Sequence, residues 1–163
     1  MAEKSHSTVE GMIAAVLKNH GFRRKGRYWK RTASDEVTHV VDLTRSRYAP
    51  ETYVGFGVWS QGIHPDSGPD DWIHCDLFGR AEHFIWTVTE VMHALNDDQP
   101  ISDPQRLERI NAICAELHEK FYDRLHTVGD VERMGCNPPN KIHLGYKFQL
   151  YLESKGLQRS ADV

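Results

Sequence analysis

The chain has 163 residues, 39% hydrophobic and 26% charged, with a formal net charge of −3 and a pI near 6.3. This length favours one domain over 1–163, and the composition is that of a globular protein rather than a fibrous or disordered one. No apolar run approaches the roughly 18 to 20 residues of a membrane span. The N-terminal MAEKSHSTVEGM has no apolar signal segment, so we expect a cytoplasmic protein.

The first predicted element is a helix over 8–20. Ser7 and Glu10 have the S-x-x-E spacing of a capping box, in which both side chains satisfy free amides at a helix start. Apolar residues follow at helical spacing, and Gly21 supplies the left-handed residue that commonly ends a helix.

Four β-strands are predicted next, and they cover 27–32, 37–45, 53–59 and 72–78. The second has apolar residues at both odd and even positions, which predicts a central strand covered on both faces. The third has Gly55 and Gly57 on one face, which predicts a bend or the close approach of a helix or another backbone.

The remaining elements are predicted to be helices. Helical apolar spacing covers 81–95, and Asp103 followed by Pro104 marks the start of a helix through about Arg124. One further helical turn is predicted at 130–134. The segment 141–155 alternates as a strand does, but its flanking Asn and Gly favour a helix, so both interpretations stay open, with helix preferred.

Three phrases carry a resemblance to a known family: GFRRKGRYWKR, then HVVDLTRSR followed by YVGFGVW, then HCDLFGR. The chain resembles the bacterial proteins grouped as domain-of-unknown-function family 4304 (DUF4304). The matching positions are Gly21, Phe22, Lys25, Gly26, Trp29, Arg31, Arg45, Ser46, Gly57 and Arg80. The chain departs from the family pattern at Asp42-Leu43-Thr44 and at Gly55-Phe56-Gly57.

The resemblance covers most of the chain and implies an α+β fold. This fold has an N-terminal helix, an antiparallel sheet of about four strands and C-terminal helices. The resemblance implies no activity, because the family has no established one.

Charge is segregated along the chain. Residues 18–31 include seven Lys or Arg and no acid, whereas 66–76 include four Asp and no Lys or Arg. Such segregation favours recognition of a charged partner. The candidate binding residues lie in these two runs and at the strand ends: Arg23, Arg24, Arg45, Ser46, Asp70, Asp71, His74 and Arg80.

Three other kinds of site are less favoured. Arg23 to Arg31, with Tyr28 and Trp29 for stacking, suits nucleic acid, but the acidic pI opposes this interpretation. A metal site is not expected, because the metal-capable residues of one segment are too few on one strand face. They are His64, His74, Cys75 and Asp76. An odd number of widely spaced cysteines predicts no disulfide framework.

The strand-end residues Arg45, Ser46, His74 and Arg80 suit either a polar enzyme site or ordinary structural ion pairs, and the second is preferred. No G-x-S-x-G or phosphate-binding loop accompanies them, so we expect no catalytic residue. The sequence thus predicts a non-catalytic protein-binding module without a cofactor, specifically an immunity or antitoxin-like protein that binds and neutralises a toxin. A small enzyme with that polar site and a nucleic-acid binder acting through 23–31 are the alternatives.

Overall fold

The structure is a computed structural model that describes residues 8–68, 72–85 and 93–157. Its strands are β1 (Arg23–Lys25), β2 (Tyr28–Thr32), β3 (Val37–Arg45), β4 (Thr52–Ser60), β5 (Leu77–Arg80) and β6 (His143–Leu144). Its helices are α1 (Val9–Asn19), α2 (Ala81–Phe84), α3 (Asp103–Lys120), α4 (Val128–Cys136) and α5 (Tyr146–Ser154). Short 3₁₀ turns lie at Trp72–His74 and Tyr122–Arg124.

The six described strands form one antiparallel sheet in chain order, from β1 at one edge to β6 at the other. Tight connections produce this order at the first edge, where Lys25 pairs with Tyr28 and Gly26 occupies the left-handed region at φ 62°. A two-residue turn of this kind favours a glycine at such a position.

The two faces of the sheet are covered differently. The core face carries Val41, Phe56 and Val58, which pack with the helices in the main hydrophobic cluster. The outer face carries Val40, Gly55 and Gly57, and it is partly covered by the segment that contains Trp72 and Cys75. Because Val40 and Val41 are both fully buried, the prediction of a central strand covered on both faces is confirmed.

The glycine prediction is also confirmed, as a close approach. A Cβ on Gly55 would lie 2.8 Å from the Trp72 ring, and a Cβ on Gly57 would lie 2.9 Å from Cβ of Cys75. Trp72 and Cys75 are three residues apart, so one 3₁₀ turn places both on the sheet. For this reason the strand predicted over 72–78 is wrong over 72–76, and β5 begins only at Leu77.

The α+β prediction is confirmed, with six strands in place of about four. The additional strands are short: β1 lies in the basic run, and β6 in the segment whose structure was left open. The rest of that segment is α5, as preferred. The first helix is confirmed with Thr8 as its N-cap, while Ser7 lies outside the described residues.

The other predicted helices are shorter or begin differently. Asp103 is the first residue of α3 rather than its cap, because Ser102 and Gln105 form a capping box. The predicted turn at 130–134 belongs to α4. Of the helix predicted over 81–95, α2 covers Ala81–Phe84, and 86–92 lie outside the described residues. None of the helices in the described ranges is long and apolar enough to cross a membrane.

Candidate functional site

The outer face of the first two strands carries a cluster of cations. Arg23 lies directly opposite Lys30, and Lys25 follows Arg23 by two residues on the same face. All three residues of β1 are exposed. Like charges directly opposite one another in a sheet repel and destabilise the pair. An anion placed between these side chains relieves that repulsion.

These cations line an open groove of about 510 Å³, which we call the basic groove. Its lining residues are Gly21, Arg23, Lys25, Lys30, Arg31, Thr32, Thr38, Trp59, Gln61, Ser67 and Gly68. None of the described residues in this lining is an acid. The groove is therefore positively charged, with hydroxyl and amide groups that can donate further hydrogen bonds.

Hydrogen bonds hold the far wall of the basic groove. The Thr38 hydroxyl donates to Oε1 of Gln61 at 3.1 Å, and the indole nitrogen of Trp59 donates to the Ser67 carbonyl at 3.0 Å. Trp59 also packs against His64, with ring centroids 4.6 Å apart. These contacts hold the loop after β4 against the sheet.

Arg31 joins the basic groove to a buried polar network on the core face. Its Nη2 donates to Nδ1 of His39 at 2.8 Å, and its Nη1 donates to Nε2 of His118 at 3.1 Å and to the His20 carbonyl at 3.1 Å. Its guanidinium also lies over the Phe22 ring, with Cζ 5.0 Å from the ring centroid. Burial lowers the pKa of Arg31 from its usual value.

Both histidines bound by Arg31 are held in the neutral form. His39 donates from Nε2 to the Leu125 carbonyl at 2.8 Å, and His118 donates from Nδ1 to the Cys114 carbonyl at 2.7 Å. The remaining nitrogen of each ring must therefore accept from Arg31. Burial lowers the pKa of His39 to about 3 and also lowers that of His118, and the nearby charge of Arg31 acts in the same direction on each.

The structure separates the two arginines proposed from the basic run. Arg24 pairs with Trp29 and so lies on the opposite side of β1 from Arg23. Its Nε donates to the Gly26 carbonyl at 3.2 Å, which closes the hairpin turn. The alternation of a strand places Arg23 and Lys25 on one face. Because no strand was predicted over 23–25, Lys25 and Lys30 were missed as partners of Arg23.

The strand-end residues do not form one shared site. Arg45 pairs with Thr52 and Arg80 with Gly55, so the register places these two arginines on opposite faces of the sheet. Ser46 accepts hydrogen bonds from the amides of Tyr48 and Ala49, both at 3.2 Å, which is a structural role in the loop.

The other proposed residues either do not line the basic groove or lie outside the described residues. His74 lines a depression of about 270 Å³ with Trp59, Gly68, Tyr146 and Lys147. It belongs to the 3₁₀ turn, so it lies outside a strand, whereas the sequence had predicted a strand over 72–78. Asp70 and Asp71 lie outside the described residues.

Three of the four metal-capable residues have structural contacts. His64 is 2.7 Å from Asp76 through Nε2 and Oδ1, and Oδ2 of Asp76 accepts from the Ser60 amide at 2.7 Å. Cys75 is buried against Gly57. Within the described ranges, His, Cys, Asp and Glu do not form a group of three suited to a metal ion.

Comparison with known proteins identifies one family. A family model described as a domain of unknown function (DUF4304) matches residues 13–128, which is more than half of the chain. No curated protein and no solved structure matches the chain.

Proposed function

The chain belongs to this family of domains of unknown function, and we propose that it is a non-catalytic binding protein whose basic groove receives an acidic segment of a partner protein. The observation that carries the proposal is the direct opposition of Arg23 and Lys30 in a groove whose described lining has no acid. The two side chains repel each other in the free protein, so a carboxylate between them gains attraction and removes repulsion.

The edge position of β1 also suits an extended segment. Within the described residues β1 pairs on one side only, with β2, so its other edge offers backbone donors and acceptors. Extended peptides bind such edges by adding a strand. An acidic partner strand fits here because all three residues of β1 are cations.

The toxin-neutralising role expected from the sequence is a narrower form of this proposal. In that form the acidic segment belongs to a toxin, and the toxin is blocked when this segment binds in the basic groove. The enzyme alternative loses support, because the register separates Arg45 from Arg80. The nucleic-acid alternative draws on the same cations and becomes an outcome of the test.

A charge-reversal pair tests the proposal. The tagged full chain is used to isolate a partner from host lysate, and the partner's affinity is then measured for the wild type, Arg23→Glu and Arg24→Glu. The two variants make the same charge change at adjacent positions on opposite faces of β1, and Arg24→Glu also removes the hydrogen bond to the Gly26 carbonyl. We expect Arg23→Glu to weaken binding by roughly tenfold or more and Arg24→Glu to have little effect.

Two results would overturn the proposal. Equal losses in the two variants would mean that net charge, not the groove, governs binding. A partner fraction that is destroyed by nuclease, with affinity that falls steeply as salt is added, would favour nucleic acid instead.

A further inference from the structure

A second groove lies at the opposite edge of the sheet and shares no residue with the basic groove. Its volume is about 400 Å³, within the range of small-molecule sites. Its lining residues, which belong mainly to β5, β6 and their flanking turns, are Trp72, Ile73, Phe78, Gly79, Arg80, His83, Lys141 and His143. We call it the aromatic groove.

Planar side chains form one part of the aromatic groove. Phe78 lies edge-on to Trp72, with ring centroids 5.6 Å apart. The ring of His143 also lies beside Phe78, with centroids 5.5 Å apart and an angle of 33° between the ring planes. Phe78 is only partly buried, and His143 is exposed. Ile73 beside them leaves 43% of its surface exposed. A flat apolar ring can therefore pack here on surface that is still open to solvent.

Basic side chains form the other part. The Arg80 guanidinium lies over the Tyr53 and Trp72 rings, 5.5 Å and 5.9 Å from their centroids, so its position is fixed by stacking. It lies 3.5 Å from Oε1 of Glu82, yet 46% of its side chain is exposed. Burial raises the pKa of the Glu82 carboxyl, and the nearby charge of Arg80 opposes that shift. No acid is present among the described lining residues.

The backbone at Lys141 is strained. Among the described residues it is the only non-glycine residue with positive φ, at 69°. Residues other than Gly and Asn rarely adopt this backbone conformation, because their Cβ crowds the backbone. The Lys141 carbonyl also lies 3.1 Å from where a Cβ on Gly79 would stand, so this segment packs closely on β5. A lysine here costs stability that a glycine would not, which suggests that its charge has another role.

We propose that the aromatic groove binds a small planar anion, namely an aromatic ring that carries a phosphate or carboxylate group. The ring packs on Phe78 and His143, and the anionic group lies between Arg80 and Lys141. This site is independent of the acidic partner segment that the basic groove receives.

The test titrates three probes into the purified full chain: adenosine monophosphate, indole-3-acetate and inorganic phosphate. Binding is followed by NMR chemical-shift changes. We expect at least one ring-bearing anion to bind about tenfold more tightly than inorganic phosphate and to shift signals of Phe78 and His143. A phosphate-bearing ligand is indicated if the nucleotide binds more tightly, and an aromatic carboxylate if the indole acid does.

Variants separate binding from folding. Lys141→Asn removes a charge and relieves the backbone strain, so we expect a melting temperature equal to or above that of the wild type and about a tenfold loss of affinity. Lys147→Asn removes the same charge from an exposed lysine outside the groove and is expected to retain the affinity. Arg23→Glu in the basic groove is also expected to retain the affinity for the anion. A failure of this inference can therefore be distinguished from a failure of the proposed function.

Three results would overturn this inference. They are the absence of binding by both ring-bearing probes at millimolar concentration, an affinity for inorganic phosphate equal to theirs, and equal affinities for Lys141→Asn and wild type.

Discussion

Arg31 is an arginine whose side-chain partners in the described network are rings rather than carboxylates. Two neutral histidines, His39 and His118, accept its hydrogen bonds, and the Tyr122 ring lies below it at 5.8 Å. The two hydrogen bonds to the histidines form only while both rings stay neutral, because a second ring proton would point at a guanidinium donor. Acid therefore disrupts this network, although none of its members is a carboxylate.

His39 predicts a pH dependence of stability. Its pKa is about 3 in the folded chain and near 6.5 in the unfolded one, so only the unfolded chain takes up the proton as pH falls from 6.5 to 3. Stability is therefore lost over that range, by an amount on the order of 5 kcal/mol for this group. We expect His39→Gln to be less stable than wild type at pH 7, by about 1–3 kcal/mol, with the difference vanishing or reversing by about pH 4.

The measurement is the free energy of unfolding in denaturant at a series of pH values. His74→Gln is the matched control, because His74 is exposed, and we expect it to change the free energy of unfolding at pH 7 by less than about 0.5 kcal/mol. A parallel curve for His39→Gln would instead show that His39 does not contribute to the acid sensitivity.

At the scale of elements, the sequence correctly predicted the helices and strands that have a long residue pattern. The β-branched run of β3 and the apolar stripe of α1 are both present within one or two residues of their predicted ends. The failures are short segments whose structure depends on a distant partner. Trp72 to Cys75 alternate as a strand does, but their conformation is decided by the glycines of β4 onto which they pack.

The packing of Trp72 on Gly55 predicts a loss of stability for Gly55→Ala. The added methyl group would lie 2.8 Å from the ring, so the 3₁₀ turn must move away from the sheet. We expect the free energy of unfolding to fall by roughly 1–3 kcal/mol, as in other overpacked sites.

Gly129→Ala in α4 is the control for this substitution. The nearest atoms to its new methyl group lie at the ordinary contact distances of 3.6 and 3.7 Å. We expect a change within about 0.5 kcal/mol, and equal effects of the two substitutions would show that Trp72 does not occupy the space above Gly55.

At the scale of the molecule, the candidate site depends on register, which local patterns do not determine. The basic run was recognisable from its charges, but the choice of Arg23 over Arg24 required the pairing of β1 with β2. In the same way, Arg45 and Arg80 seemed equivalent as strand-end residues until the pairing with β4 placed them on opposite faces. The aromatic groove was missed because Lys141 and Arg80 are far apart in sequence and meet only through β5 and β6.

Described residues that follow the family match belong to the same core. The match ends at residue 128, yet β6 pairs with β5, and Phe148 and Leu152 of α5 are buried in the cluster that holds Phe56. A Cβ on Gly135 of α4 would lie 2.7 Å from Cζ of Phe148, so these two helices pack in close contact. That the chain over 1–163 is one domain stays a prediction, and the core suggests how to test it.

If one core supports the whole fold, Phe148→Ala must destabilise the sheet as well as α5. Phe148 is fully buried, so we expect the free energy of unfolding to fall by about 3–5 kcal/mol. Leu150→Ala, two residues away and 47% exposed, should cost less than about 1 kcal/mol. Circular dichroism and tryptophan fluorescence should report one coincident transition in each variant. An earlier loss of helix in Phe148→Ala, with the fluorescence transition unchanged, would show that the C-terminal helices unfold separately from the sheet.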